Sequence, residues 1–322
     1  GYACEYLSIY LIGTLFVEAA LGLNPFIISQ GQPRIAMFSI VIGAVVNIVL
    51  DPIFIFLFGW GVKGAAIATV ISQAMSAAWN VLFLIGKKTT LRLTWKNMKP
   101  DIRMMGQICS LGISPFIMRS TESLVSIVVN RGLQVYGGDM YVGSYTIMQS
   151  VLQLFSAPLS GFTQGVQPII SYNYGAGNFP RTKKICLSMI AVSFAISFVA
   201  NMTAMIFPEL YASLFTNDPE LIGLVGKVMP VFLFGMLFFG LQNGIQPCFL
   251  SLGQAGISLF IAMFRKVLLL VPLALILPRF FGVMGIFYAE PVSDLISAAT
   301  ATLLFSLNIN KILSKEYLAR IR

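Results

Sequence analysis

Two polar side chains, Asn47 and Asp51, stand four residues apart in the otherwise apolar stretch VNIVLDPIFIF. On a helix, that spacing puts the amide and the carboxylate on one face. Pro52 follows the acid and has no N–H to offer the carbonyl of Ile48, so that carbonyl is open to the same face. A carboxylate in a membrane helix costs about 2.5–3.5 kcal/mol on insertion scales, so Asp51 is expected to face away from lipid. The pattern predicts either a proton-binding carboxylate or a structural hydrogen bond that braces the Pro52 irregularity.

A second group of acids lies near the end of the chain. Glu290 and Asp294 stand four residues apart around Pro291, so both can face one cavity. Two carboxylates on one face disfavour double ionisation, which suits either proton coupling or the recognition of a cationic ligand. The alternative is that they pair with Arg265 or Lys266 of the preceding helix, because buried charges need partners.

Three further residues could act on an ion or a ligand. Glu122 follows Arg119 at a spacing that allows a local ion pair. It is predicted either as a cation or proton site or as an acid that Arg119 neutralises permanently. Gln149 and Gln153 could line a cavity as uncharged hydrogen-bonding groups, and ordinary contacts between helices explain them equally well.

Membrane helices must position these groups. The 322 residues are 57% hydrophobic and 10% charged, against about 25% charge in a soluble domain. Several apolar runs exceed the length that spans a bilayer. The chain has no histidine, which excludes histidine-based catalysis, metal sites and proton relays, and its four cysteines lack metal-ligand spacing. The sequence therefore predicts an all-α integral membrane protein, a polytopic helical bundle.

Nine apolar spans are predicted, each a transmembrane helix. The fifth is too long for one straight crossing at about 1.5 Å per residue, so Pro158 and Pro168 are expected to bend or end it. The nine spans cover residues 6–28, 35–58, 62–85, 104–136, 140–174, 185–207, 221–250, 257–280 and 285–307.

Basic residues indicate the orientation of these spans. By the positive-inside rule, the basic segment 87–101 and the C-terminus are predicted to be cytoplasmic. The opposite loops hold the acids Asp139, Glu209, Asp218 and Glu220. Fourteen of the 21 basic residues fall on the predicted cytoplasmic side: Arg34, Lys87, Lys88, Arg92, Lys96, Lys99, Arg103, Arg181, Lys183, Lys184, Lys311, Lys315, Arg320 and Arg322.

The chain contains an internal repeat. The segment GLNPFIISQGQPRIAM from Gly22 aligns with GIQPCFLSLGQAGISL from Gly244, and GVKGAAIATVISQ from Gly61 aligns with GVMGIFYAEPVSD from Gly282. The first three spans therefore echo the last three in the same direction, as in a parallel repeat of two pseudo-symmetric lobes. In this alignment Glu290 takes the place of a threonine, so the lobes differ chemically.

The repeat also predicts the domain organisation. The remainder of a first lobe covers residues 1–86, a cytoplasmic linker covers 87–101, and a second lobe covers 102–322. The second lobe has six spans and the first has three. Equal lobes would require about 120 further residues before Gly1. We expect such a truncation rather than unequal halves, because the chain does not begin with methionine.

Six motifs appear in one order along essentially the whole chain: GQPRIAM, NIVLDPIFIF, GVKGAAIATVISQ, QPIISYNYGAGNFPRTKK, GIQPCFLSLGQ and LPRFFGVMGIFYAEPVSD. Together they resemble the multidrug and toxic compound extrusion (MATE) family of secondary transporters. The family has twelve helices in two six-helix lobes, so the resemblance implies that this chain holds the fourth to twelfth. Its members export cationic, amphipathic compounds in exchange for protons or sodium ions.

The resemblance also implies site residues. In proton-coupled members the amino-terminal site includes an Asp on the first helix, which this chain lacks, and its other positions match Asn47, Asp51 and Thr69. In sodium-coupled members an acid on the seventh helix matches Glu122. Those members have another acid on the tenth helix, where this chain has amides at Gln242, Asn243 and Gln246.

The leading hypothesis is a multidrug antiporter that works by alternating access of its two lobes, with protons favoured over sodium as the coupling ion. The alternative is a flippase or exporter of a lipid-linked or anionic substrate, which a cavity rich in Arg and Lys would favour. The membrane-embedded acids and bases roughly balance, so charge alone does not decide between the two. The residues assigned to ion coupling are Asp51, Asn47, Thr69 and Glu122. The residues assigned to the substrate cavity are Glu290, Asp294, Gln149 and Gln153.

A third hypothesis, a membrane enzyme such as a lipid-phosphate transferase, needs a cluster of acids or bases at the cytoplasmic interface. The main inner loop has one acid, Asp101, among many bases, so no enzyme activity or catalytic residue is predicted. No metal and no cofactor besides the coupling ion, H⁺ or Na⁺, is expected. The expected partners are small cationic drugs and membrane lipid, with no nucleic acid and no obligate protein partner. The protein is expected to be a multi-pass protein of the cell membrane.

Overall fold

The computed structural model describes residues 2–86, 89–93 and 101–314, and every regular element within them is a helix. The chain forms two compact units, Gly1–Ile102 and Arg103–Arg322. Part of the predicted linker, residues 87–88 and 94–100, and the basic C-terminal residues 315–322 lie outside the described residues.

Three long helices build the first unit, and α3 packs against both α1 and α2. The three are α1 (Tyr2–Ser29), α2 (Pro33–Pro52) and α3 (Gly61–Ile85). Small residues let the helices approach closely, as at Gly43, which lies directly against Ser76 of α3.

A π-helical segment, Ile53–Leu57, follows Pro52 and extends α2; we call it the first π segment. Its hydrogen bonds span five residues, as in the bond from the N–H of Phe58 to the carbonyl of Ile53. The missing proline N–H removes one bond of the regular ladder, which is a known cause of such a bulge. The predicted irregularity at Pro52 is therefore present.

In the second unit, the long helix α8 packs against α5, α6 and α12. The helix that precedes α12 is interrupted by a second π segment. The elements are α4 (Ile102–Gly137), α5 (Asp139–Gly175), α6 (Phe179–Ile206), α7 (Pro208–Ser213), α8 (Pro219–Ser251), α9 (Ala255–Met263), the second π segment (Phe264–Leu270), α10 (Val271–Ile276), α11 (Pro278–Phe281) and α12 (Val283–Ile312).

Each of the nine predicted spans coincides with helix, so the prediction of an all-α multi-pass bundle is confirmed for the described residues. Seven helical stretches there are long and apolar enough to cross a membrane. The helices α4 and α5, of 36 and 37 residues, are long enough but less apolar. Because α5 runs through both Pro158 and Pro168, neither proline ends the helix, and of the two expected effects the bend stays a prediction.

The turns of the two repeat copies match in the structure. Gly31 and Gly253 both have positive φ, +76° and +74°, which favours glycine at the turns that end α1 and α8. A Cβ on Gly64 would lie 2.7 Å from the backbone carbonyl oxygen of Phe54, and a Cβ on Gly285 would lie 2.5 Å from that of Leu277. Glycine is therefore needed at both equivalent positions for the same close approach.

Candidate functional site

In the first unit, the structure brings Asn47 and Asp51 together. The Asn47 amide donates a hydrogen bond of 3.2 Å to Asp51 Oδ1, and both side chains are half-buried on α2 just before the first π segment. The Thr69 hydroxyl on α3 donates to the carbonyl of Ala65 in its own helix, at 2.9 Å. The paired amide and acid match the predicted shared face, while Thr69 is half-buried on the neighbouring helix.

In the second unit, a buried guanidinium holds two buried carboxylates. Arg265 Nε donates to Asp294 Oδ1 at 2.5 Å, and Arg265 Nη2 donates to Glu290 Oε1 at 3.2 Å. The side chains are 8% exposed for Arg265, 8% for Glu290 and 0% for Asp294. The guanidinium also lies over the ring of Phe239, 4.3 Å from its centroid, in a cation–π contact. We call Arg265, Glu290 and Asp294 the buried triad.

The buried triad lies between two apolar clusters of the second lobe. Along α12, Ala289 belongs to one cluster and Ala301 to the other. Between them, Ser297 donates a buried hydrogen bond of 2.7 Å to Gln242 of α8. Asp294 Oδ2 is buried and accepts no hydrogen bond from the described residues. The middle of this lobe therefore has a polar layer in which one carboxylate oxygen is not satisfied.

Glu122 lies between two cations. Lys266 Nζ is 2.7 Å from Glu122 Oε1, and Arg119 Nη1 is 3.3 Å from Glu122 Oε2. The Glu122 side chain is 51% exposed, so solvent weakens these pairs. Of the two adjacent bases on the second π segment, Arg265 thus holds the buried acids and Lys266 holds the exposed one.

The two predicted cavity glutamines differ in their surroundings. Gln149 is half-buried, and its amide donates a hydrogen bond of 2.6 Å to the hydroxyl of the buried Tyr145. Glu290 is close enough to Tyr145 to act on it electrostatically. Gln153, one turn further along α5, is exposed. Gln149 is therefore linked through Tyr145 towards the buried triad.

An apolar groove of about 770 Å³ runs along the second unit between α8, α11 and α12. This volume is typical of sites for drug-sized ligands. Phe234, Phe281, Tyr288 and Pro291 are among its lining residues, but neither Glu290 nor Asp294 lines it. Both carboxylates are buried, so a substrate cation in this groove contacts them only after a rearrangement of the lobe.

Glu18, an acid in the middle of α1, was not among the predicted site residues. Its side chain is exposed in the first unit, and it stands inside a stretch long and apolar enough to cross a membrane. A charge at that depth is rare on a lipid-facing surface. The sequence could have indicated Glu18 as a candidate site residue, because it is the one charged residue in the apolar run YLIGTLFVEAALGL.

Comparison with known proteins gives consistent matches. The MatE family model matches residues 115–276, just over half of the chain. The multidrug export protein MepA of Staphylococcus haemolyticus (strain JCSC1435) is 30% identical over 305 residues, which cover 94% of this chain and 66% of that protein. MepA of Staphylococcus aureus (strain NCTC 8325 / PS 47) is 28% identical over 301 residues, 93% of this chain and 66% of that protein. The chain thus spans just under two thirds of the length of these relatives.

Solved structures share the fold. A crystal structure of MATE in complex with MaL6 matches 96% of this chain and 70% of that chain, with a TM-score of 0.88 and 23% identity. A MOP superfamily transporter from Pyrococcus furiosus matches 97% of this chain and 70% of that chain, with a TM-score of 0.89 and 23% identity. At this identity the likeness shows a common fold.

Proposed function

Because this chain belongs to the MATE family, we propose that the protein is a cation-coupled antiporter that exports small cationic, amphipathic compounds across the cell membrane. Its relatives in two Staphylococcus species are named multidrug export proteins. Solved structures of the same fold include an outward-facing conformation and bent and straight conformations. Those states fit a cycle of alternating access, in which the coupling ion and the drug favour opposite states.

The observation that carries this proposal is the pair of Asn47 and Asp51. A carboxylate in a membrane-spanning helix has few partners, and here one amide donates to it at 3.2 Å. The first π segment directly follows the pair, and such bulges are frequent at functional sites. In the proposed cycle, Asp51 binds a proton from one side of the membrane and releases it on the other. Asn47 orients the ionised carboxylate, and Thr69 lies on the neighbouring helix.

We favour protons over sodium because of Glu122. This acid already lies 2.7 Å from Lys266 and 3.3 Å from Arg119. A sodium ion would have to compete with two positive charges there, which disfavours its binding. The helix α8 offers Gln242, whose amide oxygen already accepts a hydrogen bond from Ser297.

Substrate recognition is proposed for the second lobe. Gln149 and the exposed Gln153 supply hydrogen-bonding groups, while Glu290 and Asp294 supply negative charge if Arg265 moves. The apolar groove along α8 and α12 matches the apolar part of an amphipathic cation in size. No enzyme activity and no cofactor besides the coupling ion are proposed, and the C-terminus is proposed to be cytoplasmic. Membrane lipid surrounds the protein, and no nucleic acid or obligate protein partner is proposed.

A second candidate is an exporter of an anionic or lipid-linked substrate. It is favoured by three cations that lie close to the acids of the second lobe, Arg119, Arg265 and Lys266. The Pyrococcus furiosus transporter of the same fold has a binding pocket of reverse polarity, which suggests a different function for that transporter. Export of an anionic lipid analogue but not of ethidium would favour this candidate.

The test uses the purified protein in proteoliposomes loaded with ethidium. Efflux is measured under a pH gradient or a sodium gradient, with wild type, Asp51→Asn and the exposed acid variant Asp139→Asn as control. We expect the pH gradient to drive efflux, Asp51→Asn to abolish it and Asp139→Asn to leave it unchanged. Efflux driven by sodium alone, with normal rates in Asp51→Asn, would contradict the proposed coupling site.

A further inference from the structure

We propose that Asp294 is a second proton-binding group in the transport cycle and that Arg265 is its counter-cation in the state described here. This inference rests on the proposed antiport function and deepens it. A proton binds to Asp294 Oδ2 and forms an O–H bond, which leaves the carboxyl group neutral. Arg265 then balances Glu290 alone. Loss of the same proton restores the carboxylate and completes the step, so no other reactant is needed.

The charges of the buried triad support this assignment. One guanidinium lies within hydrogen-bond distance of two carboxylates, and all three side chains are at most 8% exposed. Two ionised carboxylates with one guanidinium leave one negative charge in a buried site. A buried charge without its own partner is strongly unfavourable, so the site favours uptake of one positive charge.

The geometry at Asp294 favours a proton over a larger cation. Its Oδ1 is occupied by Arg265 Nε at 2.5 Å. Its Oδ2 is buried and accepts no hydrogen bond from any described residue. A sodium ion needs several oxygen ligands and space around it, whereas a proton needs only the free lone pair. Oδ2 is therefore a proton acceptor in this arrangement.

The repeat shows that the fold does not require this cluster. The positions in the first lobe that align with Glu290 and Asp294 are Thr69 and Gln73, which are uncharged. The helix α2 has no charged residue between Arg34 and Asp51. Equivalent helices thus pack in the first lobe without an ion triad. A purely structural role would give no reason for three costly charges at this depth in one lobe only.

The nearest further cations pair with Glu122 rather than with the buried triad. Lys266 is only 15% exposed and lies 2.7 Å from Glu122, whereas Arg119 is 84% exposed, so solvent screens its charge. The helices α9 and α10 carry no titratable side chain, and α8 contributes the uncharged Phe239 and Gln242. The charged and titratable groups that face this site are Glu290 of α12, Arg265 and Lys266 of the second π segment, Arg119 and Glu122 of α4, and Tyr145 of α5.

The test measures the ratio of ethidium concentrations across the membrane that a fixed pH gradient sustains, with the membrane potential clamped at zero. If one proton is carried at Asp51 and another at Asp294, this ratio should approach the square of the ratio of proton concentrations. In Asp294→Asn we expect it to fall to the first power, and in the control Asp139→Asn to stay at the square. The asparagine variant leaves Arg265 paired with Glu290 alone, so its buried charges balance and it should fold.

The outcomes separate the two proposals. A wild-type ratio that follows the first power, or an unchanged ratio in Asp294→Asn, overturns the second proton site while antiport stands. Absence of any pH-driven efflux in wild type overturns the proposed function itself.

Infrared spectroscopy of the purified protein tests proton uptake without transport. Acidification should produce a C=O band of a protonated carboxyl group that is absent in Asp294→Asn and retained in Asp51→Asn. The charge-conserving variant Arg265→Lys should shift the frequency of that band. If neither Asp294→Asn nor Arg265→Lys changes the band, the inference is overturned.

Discussion

Arg265 Nε donates a hydrogen bond of 2.5 Å to Asp294 Oδ1 and so joins the second π segment to the middle of α12. Both side chains are almost fully buried. The same guanidinium reaches Glu290 one turn earlier on α12. Arg265 is therefore the shared cation of both acids, so its loss leaves Glu290 and Asp294 without a bound positive charge.

The first prediction concerns Arg265→Met, which removes the positive charge but keeps most of the side-chain volume. It leaves Glu290 and Asp294 buried without their cation, so the free energy of unfolding should fall by about 3–5 kcal/mol. Denaturant titration of the purified protein in detergent measures this change. The control is Arg131→Met on the exposed face of α4, where a change within about 0.5 kcal/mol is expected. Equal effects of the two variants would argue against a buried ion triad.

The second prediction concerns the contact between α8 and α12. A Cβ on Gly235 would lie 2.7 Å from the carbonyl oxygen of Pro291, so Gly235→Ala must push the helices apart. We expect a loss of about 1–3 kcal/mol in the free energy of unfolding, because overpacking displaces backbone. On the same helix, Gly223 has nothing within 4 Å of the added carbon. Gly223→Ala should therefore be neutral or stabilise by up to about 1 kcal/mol, and the prediction fails if the two variants unfold alike.

The positions of the helices could be predicted from the sequence, because long apolar runs end at glycines and prolines that favour turns or irregular helix. The repeat alignment pairs Gly31 with Gly253, and both glycines lie at turns with positive φ. Pro52 indicated the first π segment. By contrast, Pro158 interrupts nothing, because neighbouring helices can satisfy the carbonyl that a proline leaves free in a membrane bundle.

The sequence did not show which base pairs with Glu290 and Asp294. Arg265 and Lys266 are adjacent, so helical periodicity alone left both open. The π segment that holds them has the sequence FRKVLLL, with no proline or glycine to indicate it. An inserted residue rotates everything beyond it by about 100° around the helix axis. Pro272, two residues beyond this segment, indicates an irregularity but not which base it buries, so the partner of Asp294 could not be read from the sequence.

The third prediction concerns Asn47→Ala, which removes the amide that donates to Asp51. Hydrogen bonds to charged groups contribute about 1.5–3 kcal/mol. The rate of pH-driven ethidium efflux should therefore fall about tenfold or more, while the protein still folds. The control is Asn308→Ala, a half-buried asparagine of α12 whose amide donates to the carbonyl of Leu304. An equal loss of efflux in Asn308→Ala, or no loss in Asn47→Ala, would count against the positioning role.

The fourth prediction separates the two coupling ions at Glu122. Because this side chain is 51% exposed, Glu122→Gln should change the free energy of unfolding by less than about 1 kcal/mol. Efflux driven by a pH gradient should persist, because the proposed proton-binding residues Asp51 and Asp294 are unchanged. The measurement compares pH-driven and sodium-driven efflux in wild type and Glu122→Gln. Sodium-driven efflux that vanishes in the variant would move the coupling site to the second lobe.

The fifth prediction concerns the start of the linker between the lobes. Gln30 Oε1, at the end of α1, accepts hydrogen bonds from the Thr89 hydroxyl at 2.5 Å and from the N–H groups of Thr90 and Leu91 at 2.9 and 3.2 Å. Gln30→Met removes this acceptor, and each lost bond is worth about 0.5–1.5 kcal/mol. Trypsin should then cleave after the exposed Arg92 about fivefold faster or more.

The matched control for that experiment is Gln32→Met in the same turn. Gln32 is exposed and its side chain caps no helix, so its replacement should leave the cleavage rate unchanged. Digestion of both variants, followed by mass spectrometry of the fragment that ends at Arg92, gives the two rates directly. Trypsin can cleave this segment only after it opens, and the bonds to Gln30 slow cleavage only if they must break for that opening. Equal cleavage rates in Gln30→Met and wild type would therefore show that the Gln30 amide does not hold the linker.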